Sequence, residues 1–421
     1  MTAAPVDVPL VVRTLPIEDP GPLLELLPSS EAMAWVRRGE GLVGWGSAAR
    51  IDVPPVRSLL GAGRFRHAHD AWTHLVGRAL VRDEVGLPGT GLVAFGSFSF
   101  HPGSAAGSSL VVPEVVVGRR EGRSWLTTVS SGGLPPPPML PEVSPVQAPG
   151  QVRFSDGALP GPQWTTAVAE AISRIDAGEV EKVVLARDLF ARSEFPLDAR
   201  WPLLRLEDRF SGCWTFAMDG LIGATPELLL RREKGLVTSR VLAGTIRRTG
   251  DDAADLGLSA SLARSSKDLE EHRYAVRSVA QALAPRCSSM NVPEAPYVLH
   301  LPNVMHLATD VTGVLADDAG SLELVDLLHP SAAVCGTPTA AAGDMITELE
   351  HMDRDRYAAP VGWINAEGDG EWGLALRCGR IGEDPSEIRL FAGCGIVAGS
   401  DPDAELAESV AKLVPMRDAL S

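Results

Sequence analysis

Positive charge is in short supply. The chain carries 38 Lys and Arg against 54 Asp and Glu, for a formal net charge of −16. That balance argues against a nucleic-acid footprint and against a polybasic face held on anionic lipid. It is no guide to a small substrate, which meets local charges rather than the sum. The five cysteines, Cys213, Cys287, Cys335, Cys378 and Cys394, are scattered, odd in number and without a CxxC pair. They form neither a disulfide framework nor a zinc site, and they suit a reducing compartment. No run of about 18 apolar residues is present to span a bilayer. The opening MTAAPVDVPLVVRTLPIEDP has no basic n-region and no long apolar h-region, so no signal peptide is expected. These absences point to a cytoplasmic globular protein with no nucleic-acid or membrane partner. No internal repeat stands out.

Core-forming material is ample: 45% of residues are hydrophobic and 22% charged, and 421 residues suggest two or three domains. Residues 1 to about 130 read as short strands and turns, as in GLVAFGSFSF (91–100). The tract HAHD (67–70) has metal-binding residue types but no partner cluster, and it is assigned no role. The proline-dense LPPPPMLPEVSPVQAPG (134–150) cannot sit inside a sheet and reads as a linker. It divides an N-terminal β-rich region, 1–150, from a region 151–421 that carries the chemistry.

In the second region Trp164, Val168, Ile172 and Ile175 fall on one helical face, closed by Gly178. Several hairpins come next, with a turn at Lys234-Gly235. A helix is expected over about Ser266 to Ala284, and a last one opens at Asp401-Pro402. Strands do not alternate regularly with helices, so the class is α+β with a largely antiparallel sheet.

The chemistry-bearing residues begin with Lys182, at the mouth of the apolar run VVLA. A lysine there is either a strand-end residue reaching water or an amine kept dry, which would lower its pKa and make it a usable base. Glu227 in GATPELLL either starts a helix behind the Thr225 cap or enters a strand, and the hairpin-like ELLLRREKGLVTSRVL favours the strand. A carboxyl beside three leucines has its pKa raised by desolvation, which suits a general acid. Asp268 and Glu271 are three apart on one helical face, and Glu405 and Glu408 repeat that spacing, with Lys412 one turn further on. Two such pairs could hold a hard divalent cation. Equally, Ser265-x-x-Asp268 fits a capping box, and acids in a first turn complement the helix dipole. Spacing leaves both readings open.

From about residue 160 onward the chain resembles the chorismate-utilising enzymes, and within them the isochorismate synthases. The likeness runs in family order through KVVLAR (182–187), GATPELLL (223–230), LAGT (242–245), KDLEEH (267–272) and MHLATDVTG (305–313). It continues through LHPSAAVCGTPTAAA (328–342), DRYAAPVGW (355–363), GDGEWGLALRC (368–378), FAGCGIV (391–397) and AELAES (404–409). Such an ordered series is far more specific than any single motif. The resemblance implies large, mostly antiparallel sheets in a two-layer core with helices on the outer faces. It makes Lys182 the base that activates water for attack at C2 of chorismate, and Glu227 the acid that protonates the departing C4 hydroxyl. Glu271 and Glu408 would ligate Mg²⁺ directly, with Asp268 and Glu405 holding metal-bound waters. The family more often has Glu where Asp268 stands. Arg377 would clamp the enolpyruvyl carboxylate, with Tyr357 packed beside it, His306 near the ring and Lys412 adding charge near the metal-bound carboxylate. Gly244, Thr245, Ala333 and Gly393 would line the pocket.

Relatives that use an amine as nucleophile usually carry glutamine at the position of Lys182, and one group has lysine where this chain has Ala243. Water is therefore the expected nucleophile, with no glutamine amidotransferase subunit and a monomer as the working unit. The expected product is isochorismate, for menaquinone or a catecholate siderophore. A salicylate synthase, which goes on to eliminate pyruvate, is the second reading, and a non-catalytic chorismate-binding regulator the third.

Overall fold

The structure is a computed structural model, and it describes residues 8–55, 63–133 and 144–421. Most of the proline segment read as a linker, residues 134–143, lies outside the described residues. Turn-punctuated apolar runs build a 13-stranded and a 10-stranded sheet. Pairing is antiparallel along their length, with a parallel step where Leu10–Ile17 meets Leu80–Asp83. The sheets pack through one large apolar cluster. Trp214, Phe216 and Met218 enter it from one strand, Trp35 from the next, and Phe95, Leu230 and Trp372 from the other sheet. On the same strands Ala34, Val36 and Ala217 point the other way, into a second cluster with Leu203 and Leu206 of helix Arg200–Arg209 and Met416 of helix Pro402–Leu420. With both faces covered, the period-two alternation disappears into continuous apolar runs.

The sequence boundary near 150 does not divide the sheets. Met33–Arg37 pairs with Trp214–Met218, and Val93–Ser97 with Pro360–Asn365. The N-terminal third therefore extends both sheets. It also holds an element missed by the strand-and-turn reading, the helix Gly63–Val76. Phe65, Ala68 and Trp72 are its buried stripe, at spacings of three and four, while His67 and Asp70 of the HAHD tract face outward. The Lys234-Gly235 turn takes positive φ at both residues (49° and 81°), as a tight hairpin requires. The expected helix is Ser266–Leu283 and the last is Pro402–Leu420.

Candidate active site

Lys182 opens the strand Lys182–Ser193, which pairs along its length with Glu387–Ile396. Its side chain is fully buried (0% exposed). The Nζ lies 3.3 Å from a Glu271 carboxylate oxygen, close enough for an ion pair, yet it makes no well-aligned hydrogen bond among the described residues. The paired strand lets the two approach. A Cβ at Gly395 would stand 2.0 Å from Glu271 Oε1 and 3.0 Å from Lys182 Cε. Only glycine leaves room for them, a role that FAGCGIV did not reveal at position 395.

Two helices deliver the acids, and their caps fix the phase. Ser265 accepts from the Asp268 N–H and donates back to its carboxylate; Asp401 accepts from the Ala404 N–H at 2.8 Å. Capping is thus compatible with the acid spacing, because each cap starts a helix whose next turn carries the second acid. Glu405, Glu408 and Cys394 bring ligand atoms within 4.8 Å of one another. Burial and the neighbouring Glu408 charge push Glu405 up, and burial with Glu271 and Glu408 does the same for Asp268. Mutual repulsion of this kind suits a hard cation with oxygen ligands. The Cys394 thiol, pushed far up by burial, keeps its proton and donates to the Glu405 carbonyl, so it is not part of that donor set. Lysines meet the acids meanwhile: Lys182 meets Glu271, Lys267 meets Glu405 at 2.5 Å, and Lys412 meets Glu408 at 2.6 Å. KDLEEH gives no local sign of the Lys267 contact, which depends on an acid from another helix.

Facing the acids is a wall of cations and one isolated carboxyl. Glu227 sits between the strands Leu221–Thr225 and Leu228–Glu233 rather than inside one, a small correction to the strand expected of it. Its N–H bonds the Thr225 hydroxyl, so Thr225 caps a tight break instead of a helix. Burial pushes its carboxyl up to about 8, against the opposing pull of the Leu242 N–H, Lys182, Arg377 and Lys412. Arg377 is buried and held at φ 49°, a strained conformation for a residue with a side chain. Its Nη2 donates to His306 Nε2 at 3.1 Å, and His306 Nδ1 lies 3.1 Å from the Thr245 hydroxyl. Arg377 has only donors, so His306 is the neutral Nδ1–H tautomer, and burial holds its pKa far below the usual value. Lys412 donates to the Gly393 carbonyl at 2.9 Å. Burial opposes its charge, but Glu408 outweighs this and its pKa is raised. A bulge at Gly244 (φ 78°) turns Thr245 toward this wall.

These elements enclose a cavity of about 50 Å³. Of the residues expected from sequence, Glu227, Gly244, Thr245, Glu271, His306, Ala333, Tyr357, Arg377, Gly393 and Lys412 line it. Lys182 lies behind Glu271, while Asp268, Glu405 and Glu408 adjoin it through the helix ends and Lys412. Tyr357 stacks on Phe391, with ring centroids 5.2 Å apart. Val184, Pro226, Leu242, Ala243, Val334, Ala358, Leu376 and Gly395 complete the lining. Apolar lining carries no chemical signal in a sequence.

Residues 144–421 match the family model described as chorismate binding enzyme. Two curated relatives come from Bacillus subtilis (strain 168). Isochorismate synthase MenF is 38% identical over 261 residues, covering 61% of this chain and 55% of that protein. Isochorismate synthase DhbC is 38% identical over 275 residues, covering 62% and 69%. The alignment with MenF thus takes in little more than half of that relative. Among solved structures, MenF, the menaquinone-specific isochorismate synthase from Escherichia coli, superposes with a TM-score of 0.78 at 25% identity, covering 99% of this chain and 96% of that one. Among the described residues no helix is long and apolar enough to cross a membrane.

Proposed function

The chain belongs to the chorismate-binding enzyme family, and from that premise we propose that it is an isochorismate synthase, adding water at C2 of chorismate and expelling the C4 hydroxyl. The observation that carries this reading is a buried, protonated glutamic acid lining the same cavity as Glu271, whose carboxylate meets the fully buried Lys182 at 3.3 Å. Lys182 takes the proton from the water that attacks C2. Glu227, neutral below about pH 8, gives its proton to the hydroxyl leaving C4 as the ring double bonds shift. Arg377 clamps the enolpyruvyl carboxylate with a guanidinium that the strained backbone aims and His306 steadies. Tyr357 supports that side chain, and Gly244, Thr245, Ala333 and Gly393 shape the floor. Lys412 sets a positive charge near the ring carboxylate.

Glu271 and Glu408 are the residues that would hold Mg²⁺ directly, with Asp268 and Glu405 acting through water; the converging oxygen donors and their repulsion fit that cation. When bound, the cation supplies positive charge opposite the substrate's ring carboxylate, which four bare carboxylates would repel. The cavity, at about 50 Å³, is smaller than a substituted six-membered ring. With water as nucleophile no glutamine amidotransferase subunit is required. The chain is read as a cytoplasmic monomer, in keeping with its five free cysteines, that feeds menaquinone or catecholate siderophore synthesis.

The test is incubation with chorismate and Mg²⁺, with chromatographic separation of the products. Isochorismate alone is expected, and EDTA should abolish its formation. Salicylate with pyruvate would replace the reading by a salicylate synthase, and anthranilate formed with ammonia would overturn it.

A further inference from the structure

Lysine is scarce in this chain. Of its 38 Lys and Arg residues only four are lysine: Lys182, Lys234, Lys267 and Lys412. Lys234 occupies the exposed hairpin turn, and the other three all meet the acid cluster. Buried carboxylates elsewhere are met by arginine: Glu350 by Arg354, Asp369 by Arg232 and Asp198 by Arg200. The residue type matters physically. Arginine grips a carboxylate through a planar, two-pronged fork, whereas lysine is a point charge on a flexible stem. A contact that has to be given up is better made by lysine.

The three lysines are not equivalent. Lys182 is fully buried, and Lys412 is buried and bonds the Gly393 carbonyl as well as meeting Glu408. Both are enclosed. The Lys267 side chain is 33% exposed, and its hydrogen bond among the described residues goes to Glu405 Oε1 at 2.5 Å. Glu405 itself is 2% exposed, and a carboxylate that deep is costly to leave bare. Lys267 lies in the first turn of the helix Ser266–Leu283, where the helix dipole opposes a cation. Local structure therefore does not account for it; the acid opposite does. Its charge also acts on Glu271 and Glu408, the two expected direct ligands.

We propose that Lys267 is a displaceable counter-ion of the acid cluster. It neutralises Glu405 while the divalent cation is away, and it releases that carboxylate and turns to water when the cation binds. The proposal rests on the metal reading made above and adds to it the residue that sets the cation affinity. Acting through Glu405, Lys267 is a positioning residue, and its presence keeps Mg²⁺ binding weaker than the four acids alone would make it.

The test titrates Mg²⁺ calorimetrically into the EDTA-treated, dialysed full chain. Lys267→Met should bind Mg²⁺ about tenfold more tightly, since a unit charge close to the ion is removed. Lys267→Arg should bind it more weakly than the wild type, because the fork is harder to displace. In EDTA the methionine variant should melt below the wild type, and saturating Mg²⁺ should close that gap. Arg273→Gln, which removes an exposed charge from the same helix, should change neither readout. With four lysines in the chain, amine acetylation of the wild type can be followed at each site by mass spectrometry, which keeps the test valid where a variant misfolds. Saturating Mg²⁺ should raise the Lys267 rate several-fold and leave that of Lys234 unchanged. Equal or weaker Mg²⁺ binding by Lys267→Met, or a Lys267 acetylation rate that Mg²⁺ does not raise, would overturn the proposal while leaving the metal reading in place. A wild type that binds no Mg²⁺ would overturn both. None of these readouts requires turnover.

Discussion

Within the first residues of one strand, Lys182 to Ala186, the chain meets two buried cation–carboxylate pairs of opposite character. Arg354 and Glu350 form the first. Two guanidinium nitrogens reach the carboxylate, the Ala186 N–H adds a third contact at 2.7 Å, and Arg354 spends its remaining donors on backbone carbonyls. Lys182 and Glu271 form the second, at 3.3 Å, without a well-aligned hydrogen bond among the described residues. Both cations are hidden from water. A pair whose cation has all three nitrogens hydrogen-bonded has become architecture, joining the Val184 and Val334 segments of the catalytic wall. A pair left loose can separate, and its members are free to take a proton or a cation. Satisfaction, rather than burial, divides structure from chemistry here.

The sharpest way to break the contrast is to remove each cation's function in turn. Lys182→Ala should lower turnover by about 10²–10⁴-fold, because a general base is lost. Near-normal isochorismate output from that variant would take the lysine out of the mechanism. Glu350→Gln should instead act on stability, costing about 3–5 kcal/mol in denaturant unfolding by leaving the Arg354 charge unpaired in the interior. An unchanged midpoint would show that the pair is not structural. Smaller in effect, and confined to the reactive side, is the response to pH. The folded Glu227 carboxyl ionises near 8 against about 4.3 in an unfolded chain, so between those values only the folded state holds the proton. Stability is therefore highest below the lower value and declines through the window. Turnover should fall about tenfold per pH unit above about 8, as the acid is lost. A pH–rate profile flat to pH 10 would remove Glu227 as the proton donor.

Much of this was legible in the residues alone. Lys234-Gly235, Gly178, Ser265 and Asp401 mark turns and caps by local chemistry, and local chemistry is what a sequence prints. The spacing of Asp268 with Glu271 and of Glu405 with Glu408 was visible for the same reason. The helix Gly63–Val76 is marked only by the Phe65, Ala68 and Trp72 stripe, a weak signal among strand-like neighbours. Less could be learned about Gly395 or Lys267, whose roles depend on side chains from distant elements.

By itself, then, the order of residues determined the elements, their caps, the α+β class and the types of chemical group on offer, because each depends on a few neighbours along the chain. Tertiary structure alone decided which groups meet: that Glu227 is stranded without water, and that Lys182 touches Glu271 across a glycine. Those outcomes are set by through-space distance and by what solvent can reach, and neither is a property of chain neighbours.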